Sequence, residues 1–205
     1  MTNERHAKFI HLLLKWNQKI NLTAITDPDE IRIKHIEDSL APLHYIKGAT
    51  TLLDLGSGAG FPGIPLKIAR PDLRVVLVEA TRKKVGFLNH AIAELKLTDI
   101  VAVHARAEVV GAVREPPLRQ PFDVVVSRAT WELESFIPLA LPYLAPSGTI
   151  IAMKGAKWKE ELASAKEVLA HAQLTASSHP YHLSNGDERA LIQIFSSTFD
   201  REGRR

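Results

Sequence analysis

The run Thr51-Leu-Leu-Asp54 enters Asp54-Leu-Gly-Ser-Gly-Ala-Gly-Phe-Pro-Gly63, a glycine loop that constrains this chain more than any other segment. Gly56, Gly58 and Gly60 permit a sharp turn and let backbone approach a ligand with no Cβ in the way. An apolar strand precedes the loop and a helix is predicted after it, from about Pro62 to Ala69, where Pro71 stops it. Such a loop sits at the carboxyl edge of a parallel sheet, the place where open α/β folds bind ligands.

The apolar runs that follow agree with such a sheet. Arg74-Val-Val-Leu-Val-Glu79, Ile100-Val-Ala-Val103, Phe122-Asp-Val-Val-Val126 and Thr149-Ile-Ile-Ala-Met153 read as strands buried on both faces, with helical segments between them. Trp158 to His171 reads as one amphipathic helix. Leu174 to Tyr181 and Arg189 to Phe195 read as strands joined by a turn at Ser184-Asn-Gly-Asp187, an antiparallel hairpin at the sheet edge. Seven strands, mostly parallel, are expected.

The start of the chain has a different period. Phe9, Leu12, Leu13, Trp16 and Ile20 recur at helical spacing, and Asp27-Pro28 offers a cap followed by proline at the first helical position. Ile31, Ile33, Ile36 and Leu40 continue the helical pattern up to Pro42. The expected division is a helical region over residues 1–46 followed by an α/β domain over 47–205. Nothing at the N-terminus has the layout of a secretory signal and no run has membrane-spanning length, so a cytoplasmic address with no membrane association is expected.

The ligand follows from the residues around the glycines. A dinucleotide site uses G-x-G-x-x-G with pyrophosphate over the helix, and a P-loop ends in G-K-[ST]; this loop has Gly56-x-Gly58-x-Gly60 and neither ending. Asp54, two residues before the first glycine, would repel pyrophosphate but suits the cationic amino group of a methionine moiety. Glu79 closes the second strand about 20 residues on, where a carboxylate accepts ribose hydroxyls; its alternative is a solvated strand-end glutamate. Ala107-Glu108 follows the third strand and could border an adenine. S-adenosylmethionine meets these requirements together, and a nicotinamide dinucleotide meets fewer.

Composition narrows the chemistry. The chain has no cysteine, which removes disulfides, thiolate-bound metal and the cysteine nucleophile used at pyrimidine C5. After the fourth strand stands Ser127-Arg-Ala-Thr130 rather than the Asp/Asn-Pro-Pro-aromatic block of exocyclic-amine methyltransferases. A formal charge of +3 permits a polyanionic partner without demanding one. No metal site is expected.

Several blocks together carry a resemblance over nearly the whole chain. They are Asn21-Leu-Thr23, His35-Ile-Glu-Asp-Ser-Leu40, Asp54 through Leu66, Val78-Glu79, Lys83-Lys84 with Phe87-Leu88, Arg106-Ala-Glu108, Ser127-Arg-Ala129 and Lys154-Gly155. In them the sequence resembles the bacterial glucose-inhibited division protein B family of 16S ribosomal RNA guanine-N7 methyltransferases. Val78-Glu79-Ala-Thr81 is a local variant, and the Arg114 to Pro121 loop is expected to alter one edge of the RNA site. The resemblance implies a Rossmann-like class I methyltransferase fold, S-adenosylmethionine as methyl donor, and N7 of one guanine in small-subunit 16S ribosomal RNA as acceptor, with no stable protein partner required. It implies donor contacts at Gly56, Phe61, Ala107, Glu108 and Arg128, and supports the ribose role of Glu79.

The remaining candidates keep two readings each. His35, Asp38 and Ser39 lie within one helical turn, as a hydrogen-bond cluster joining the helical region to the core or as contacts of RNA or donor. Arg128 would seat the donor or hold the base through O6; Lys154, ending the fifth strand, would touch RNA phosphate or the target base. Trp131 and Trp158 would offer stacking faces or pack as core. Lys15, Lys19, Arg32, Lys34 and Lys157 are candidates for a phosphate-binding rim. A non-enzymatic ribosome-binding or assembly protein, and a methyltransferase acting on another RNA base, are the alternative functions.

Overall fold

The computed structural model describes residues 2–106, 120–128 and 131–196. Seven strands form one sheet: β1 (Thr51–Leu55), β2 (Arg74–Glu79), β3 (Ile100–His104), β4 (Phe122–Ser127), β5 (Leu144–Lys154), β6 (Leu174–His182) and β7 (Glu188–Ser196). Their order is β3-β2-β1-β4-β5-β7-β6. Strands β1 to β5 pair in parallel; β7 is antiparallel to β5, and β6 to β7.

The order runs outward in one direction from β1 to β3 and in the other from β4 to β5, so the switch point lies between β1 and β4. In open sheets of this kind ligands bind at such a point, at the carboxyl ends of the strands. The glycine loop leaves β1 and Arg128 leaves β4, which places both at that point.

Each buried strand sends alternate side chains to opposite faces. Leu52, Val75, Leu77, Val124 and Val126 join one apolar cluster with Phe9 and Leu13 of α1 (Thr2–Asn17), Ile64 of α4 (Gly63–Ala69) and Phe87 of α5 (Arg82–Glu94). Leu53, Val76, Val78, Val125 and Ile150 join the other, with Phe136 and Ile137 of α6 (Leu133–Ala140), Trp158 of α7 (Trp158–Ser164) and Leu169 of α8 (Lys166–His171). The N-terminal helices therefore share a core with the sheet. Asp27 caps α2 (Pro28–Ile31), its Oδ1 accepting from the Glu30 amide at 2.8 Å.

Three details depart from the periodicity. Between α2 and α3 (Asp38–Leu40) the chain makes a wide π-helical turn over Arg32–Glu37, carrying His35. Such turns recur at functional sites. Ala165 separates α7 from α8, so the single helix expected over Trp158 to His171 is two short ones. Strand β5 begins at Leu144, earlier than its apolar run, because its first residues continue the ladder with Phe122 across an irregularity in register.

No helix among the described residues is long and apolar enough to cross a membrane.

Candidate active site

The glycine loop is shaped by two carboxylates. Gly56, Gly58 and Gly60 have φ of 69°, 57° and 93°, a region that L side chains avoid. Glu79, at the end of β2, holds the loop open: Oε2 accepts from the Gly58 amide at 3.0 Å, and Oε1 from the Thr81 amide at 2.6 Å. The solvated-terminus reading fails, because Glu79 is buried. An ionised carboxylate has about four acceptor positions, so two backbone donors leave capacity for a ribose hydroxyl.

Asp54 is completely buried beneath the loop, and its Oδ2 accepts from the Gly63 amide at 2.8 Å. Its Oδ1 is buried with no hydrogen-bond partner among the described residues. Burial pushes the carboxyl up to about 7, against the lowering pull of the Gly63 amide and the Arg128 charge; the Glu79 charge raises it further. Gly63 must be glycine for space, since a Cβ there would lie 2.2 Å from Leu77 Cδ2 and 2.8 Å from Asp54 Oδ2.

The loop meets a second group of residues through Phe61 and Arg128. The Arg128 guanidinium stands 5.0 Å from the centroid of the buried Phe61 ring, and the His35 ring lies 4.7 Å from it. Arg128 donates to Lys34 O at 3.0 Å, to Asp38 Oδ2 at 3.1 Å and to His35 Nδ1 at 3.1 Å. Because arginine only donates, His35 Nδ1 is the acceptor; the ring proton is therefore assigned to Nε2, which lies 2.9 Å from Thr23 Oγ1. Burial, aided by the neighbouring Arg128 charge, lowers His35 from 6.5 to about 4, which keeps the ring neutral.

Asp38 is the hub of this group. Besides Arg128 it accepts from the Tyr181 hydroxyl at 2.7 Å on Oδ1, with Arg189 Nε 3.9 Å away. Ser39 Oγ donates back to His35 O at 2.5 Å. The His35 to Ser39 block thus ties the helical region to β4, β6 and β7, the first of its two readings.

A cavity of about 480 Å³ opens beside these residues, lined by His35, Asp38, Arg128, Lys154, Glu161 and Arg189, with Lys34 at its wall. Lys154 reaches it from the end of β5. Its Nζ donates to Trp131 O and lies 2.6 Å from Glu161 Oε2 of α7.

Of the other candidates, Lys34 lines the cavity but is paired with Glu30 at 2.9 Å. Arg32 is exposed, 3.7 Å from Asp29, and borders a different groove with His6 and Ile36. Lys15, Lys19 and Lys157 are exposed and are not among the residues lining the cavity. Both tryptophans pack as core: Trp158 is buried, with Nε1 donating to Glu188 Oε1 at 3.3 Å, and Trp131 stacks on Phe136 with centroids 6.1 Å apart. Ala107 and Glu108 lie outside the described residues.

Sequence reading missed Glu161 and Arg189. Neither belongs to a local motif, and only the pairing of β5 with β7 and the turn into α7 bring them to the cavity.

Residues 2–192 match the family model described as rRNA small subunit methyltransferase G. The chain belongs to this family. It is 48% identical over 161 residues to Ribosomal RNA small subunit methyltransferase G of Geobacter sp. strain M21, covering 78% of this chain and 72% of that one. The protein of the same name from Staphylococcus epidermidis strain ATCC 35984 is 43% identical over 195 residues, covering 93% of this chain and 80% of that one. Membership makes the chain an S-adenosylmethionine-dependent ribosomal RNA methyltransferase.

Solved structures show the same fold. An O-methyltransferase from Bacillus cereus in complex with SAH superposes with a TM-score of 0.67 at 20% identity, covering 92% of this chain and 91% of that chain. TomG, an O-methyltransferase from Streptomyces achromogenes, gives 0.67 at 18% identity over 95% of this chain and 90% of that one. The fold is thus the class I methyltransferase sheet, mostly parallel with antiparallel strands at its C-terminal end.

Proposed function

We propose that this enzyme methylates N7 of one specific guanine in 16S ribosomal RNA, within the small subunit or an assembly intermediate, in the cytoplasm. The carrying observation is the position of Arg128, which lies against Phe61 of the glycine loop and also lines the polar cavity. One side chain thus borders both the donor loop and the space left for an acceptor.

The residues present fit S-adenosylmethionine. Gly56, Gly58 and Gly60 allow backbone approach, Glu79 retains acceptor capacity for the ribose, and the unpaired Asp54 Oδ1 suits the methionine ammonium, directly or through water. Phe61 belongs to the same loop and Arg128 stands against it; Ala107 and Glu108 are added as donor contacts on the family resemblance alone. The donor supplies an electrophilic methyl on a positively charged sulfur. Guanine N7 has an exposed lone pair, so attack needs no general base. The protein's task is alignment and exclusion of water, which together account for large rate effects.

Arg128 and Lys154 are the positioning groups in this reading. Held by Asp38, His35 and Lys34 O, Arg128 keeps one geometry without substrate. Lys34 and Lys154 contribute positive charge at the cavity, and Lys15, Lys19, Arg32 and Lys157 add a more distant phosphate-binding rim. Other acceptors fit less well: the chain has no cysteine for attack at C5, and Ser127-Arg-Ala-Thr130 lacks an amine-methylating block.

The test is donor-dependent labelling of deproteinised 16S RNA and of small subunits, with S-adenosylhomocysteine and NAD compared as ligands. Saturable binding of S-adenosylhomocysteine with label in RNA supports the reading. RNA association without label would support a non-enzymatic ribosome-binding role.

A further inference from the structure

The Lys154–Glu161 pair is more than the Lys154 candidate alone. Lys154 Nζ and Glu161 Oε2 are 2.6 Å apart, their side chains 7% and 17% exposed, and both line the cavity that Arg128 also lines, while Arg128 stands against Phe61 of the glycine loop. Burying an ion pair that serves only to pin α7 to β5 gains little, since a well-packed apolar pair usually does as well. A fixed donor beside a fixed acceptor, at the wall of a cavity, is also a recognition element.

We propose that Glu161, held in place by Lys154, reads the Watson–Crick edge of the target guanine and thereby sets base specificity. The inference rests on the guanine-N7 reading above. Guanine presents O6, an acceptor, beside the N1–H and N2–H donors. Lys154 and Glu161 present the complementary order, a cation that donates beside a carboxylate that accepts. An ammonium has three donors; Lys154 gives one to Trp131 O and pairs by charge with Glu161 Oε2, which has no hydrogen-bond partner among the described residues, so a donor remains for O6. A carboxylate with one oxygen on Lys154 keeps acceptor positions for N1–H and N2–H. Adenine would set its N6 amine against the ammonium and its N1 lone pair against the carboxylate, and both contacts repel.

Such a contact favours reaction as well as selection. As the N7 lone pair forms its bond to the methyl carbon, the carbon–sulfur pair stays on sulfur and positive charge moves onto the guanine. N1–H then becomes a stronger donor, and its bond to Glu161 strengthens on the way to the transition state. Interactions stronger there than in the bound substrate raise kcat. KM for RNA, dominated by phosphate contacts across a larger footprint, should change little.

The experiment compares the full-length enzyme and Glu161→Gln on 16S RNA carrying guanosine, inosine, 2-aminopurine or adenosine at the mapped position. The wild type should methylate inosine, which keeps O6 and N1–H, and should disfavour 2-aminopurine, which lacks both, by about ten- to hundredfold or more, the range for a good two-bond base contact. Glu161→Gln should lose about tenfold or more in kcat on guanosine, with KM for RNA and S-adenosylhomocysteine affinity within about twofold. Its preference for inosine over 2-aminopurine should shrink. A purely structural ion pair would instead lower the melting temperature of Glu161→Gln and leave base preference untouched, which overturns the proposal. So would equal wild-type use of inosine and 2-aminopurine, a result that needs no variant to fold. A wild-type product at any atom other than guanine N7 defeats the underlying reading; wild-type N7 product with unchanged preference in Glu161→Gln defeats this inference alone.

Discussion

Arg128 donates to Asp38 Oδ2 at 3.1 Å, joining the carboxyl end of β4 to the N-terminal helical region across 90 residues of sequence. The pair is mostly buried, with side chains 18% and 6% exposed. Asp38 also takes the Tyr181 hydroxyl, so one carboxylate holds the catalytic-edge arginine and the outer strand β6 together.

Removing one member of this pair should separate stability from activity. Asp38→Asn leaves Arg128 without its charge partner and the Tyr181 hydroxyl with a weaker acceptor. Breaking a buried pair from one side costs about 3 kcal/mol, so denaturant unfolding should show a lower midpoint. Arg128→Ala also breaks the pair and should lower the midpoint, but Asp38 keeps Tyr181 and Arg189, so the chain should still fold by circular dichroism while methyl transfer at a temperature where it is folded falls at least about tenfold, the minimum expected for a lost positioning contact. Wild-type turnover in Arg128→Ala would remove its role.

Asp54 gives a pH signature. Its carboxyl is raised from 3.8 to about 7 by burial, so the unfolded chain ionises at lower pH than the folded one. Stability from this group is fully present below 3.8, declines as pH rises, and is lost once pH passes about 7. Melting of Asp54→Asn should lack that decline. If Asp54 receives the methionine ammonium, S-adenosylhomocysteine binding should tighten in the wild type from about pH 6 to about pH 8, as the carboxylate ionises, and the variant's affinity should lose this dependence.

His35 has the opposite sign. Lowered from 6.5 to about 4, it stays neutral in the fold while the unfolded chain takes up a proton, so its contribution is present above 6.5 and is lost as pH falls toward 4. Acid titration of stability should therefore be shallower for His35→Gln than for the wild type. Because Asp54 acts the other way over much of this window, the two single variants are needed to separate the slopes.

The loop glycines should divide into two kinds. Gly63→Ala places a Cβ 2.2 Å from Leu77 Cδ2 against the buried Asp54, so it should destabilise by about 1–3 kcal/mol, as overpacking does. Gly58→Ala meets open space on the protein side, its nearest atom being Gly56 O at 4.0 Å, but imposes a side chain at φ +57° on the ligand side. That variant should lose about 1 kcal/mol of stability and proportionally more donor affinity by isothermal titration.

Much of the fold was legible because its signals are local. The apolar runs of β1, β2 and β4, the glycine loop and the Ser184 to Asp187 turn each fit one period or one turn chemistry. The donor loop was legible for the same reason, since the loop and Glu79 fall at the ends of consecutive strands. The π-helical turn at Arg32–Glu37 and the break at Ala165 were not, because the apolar period continues through both. Glu161 and Arg189 were also hidden. A glutamate in the first turn of α7 and an arginine in β7 look like ordinary surface charges until the turn from β5 into α7 sets Glu161 beside Lys154 and the β-strand pairing sets Arg189 near Asp38.

The most direct test is to incubate the enzyme with labelled S-adenosylmethionine and small subunits lacking modification, then map the labelled base by cleavage chemistry specific for N7-methylguanine and by mass spectrometry. One label per 16S RNA, on N7 of a single guanine and lost with Arg128→Ala, is the predicted result. Label on another atom or base, or none in RNA although donor binds, would contradict the account.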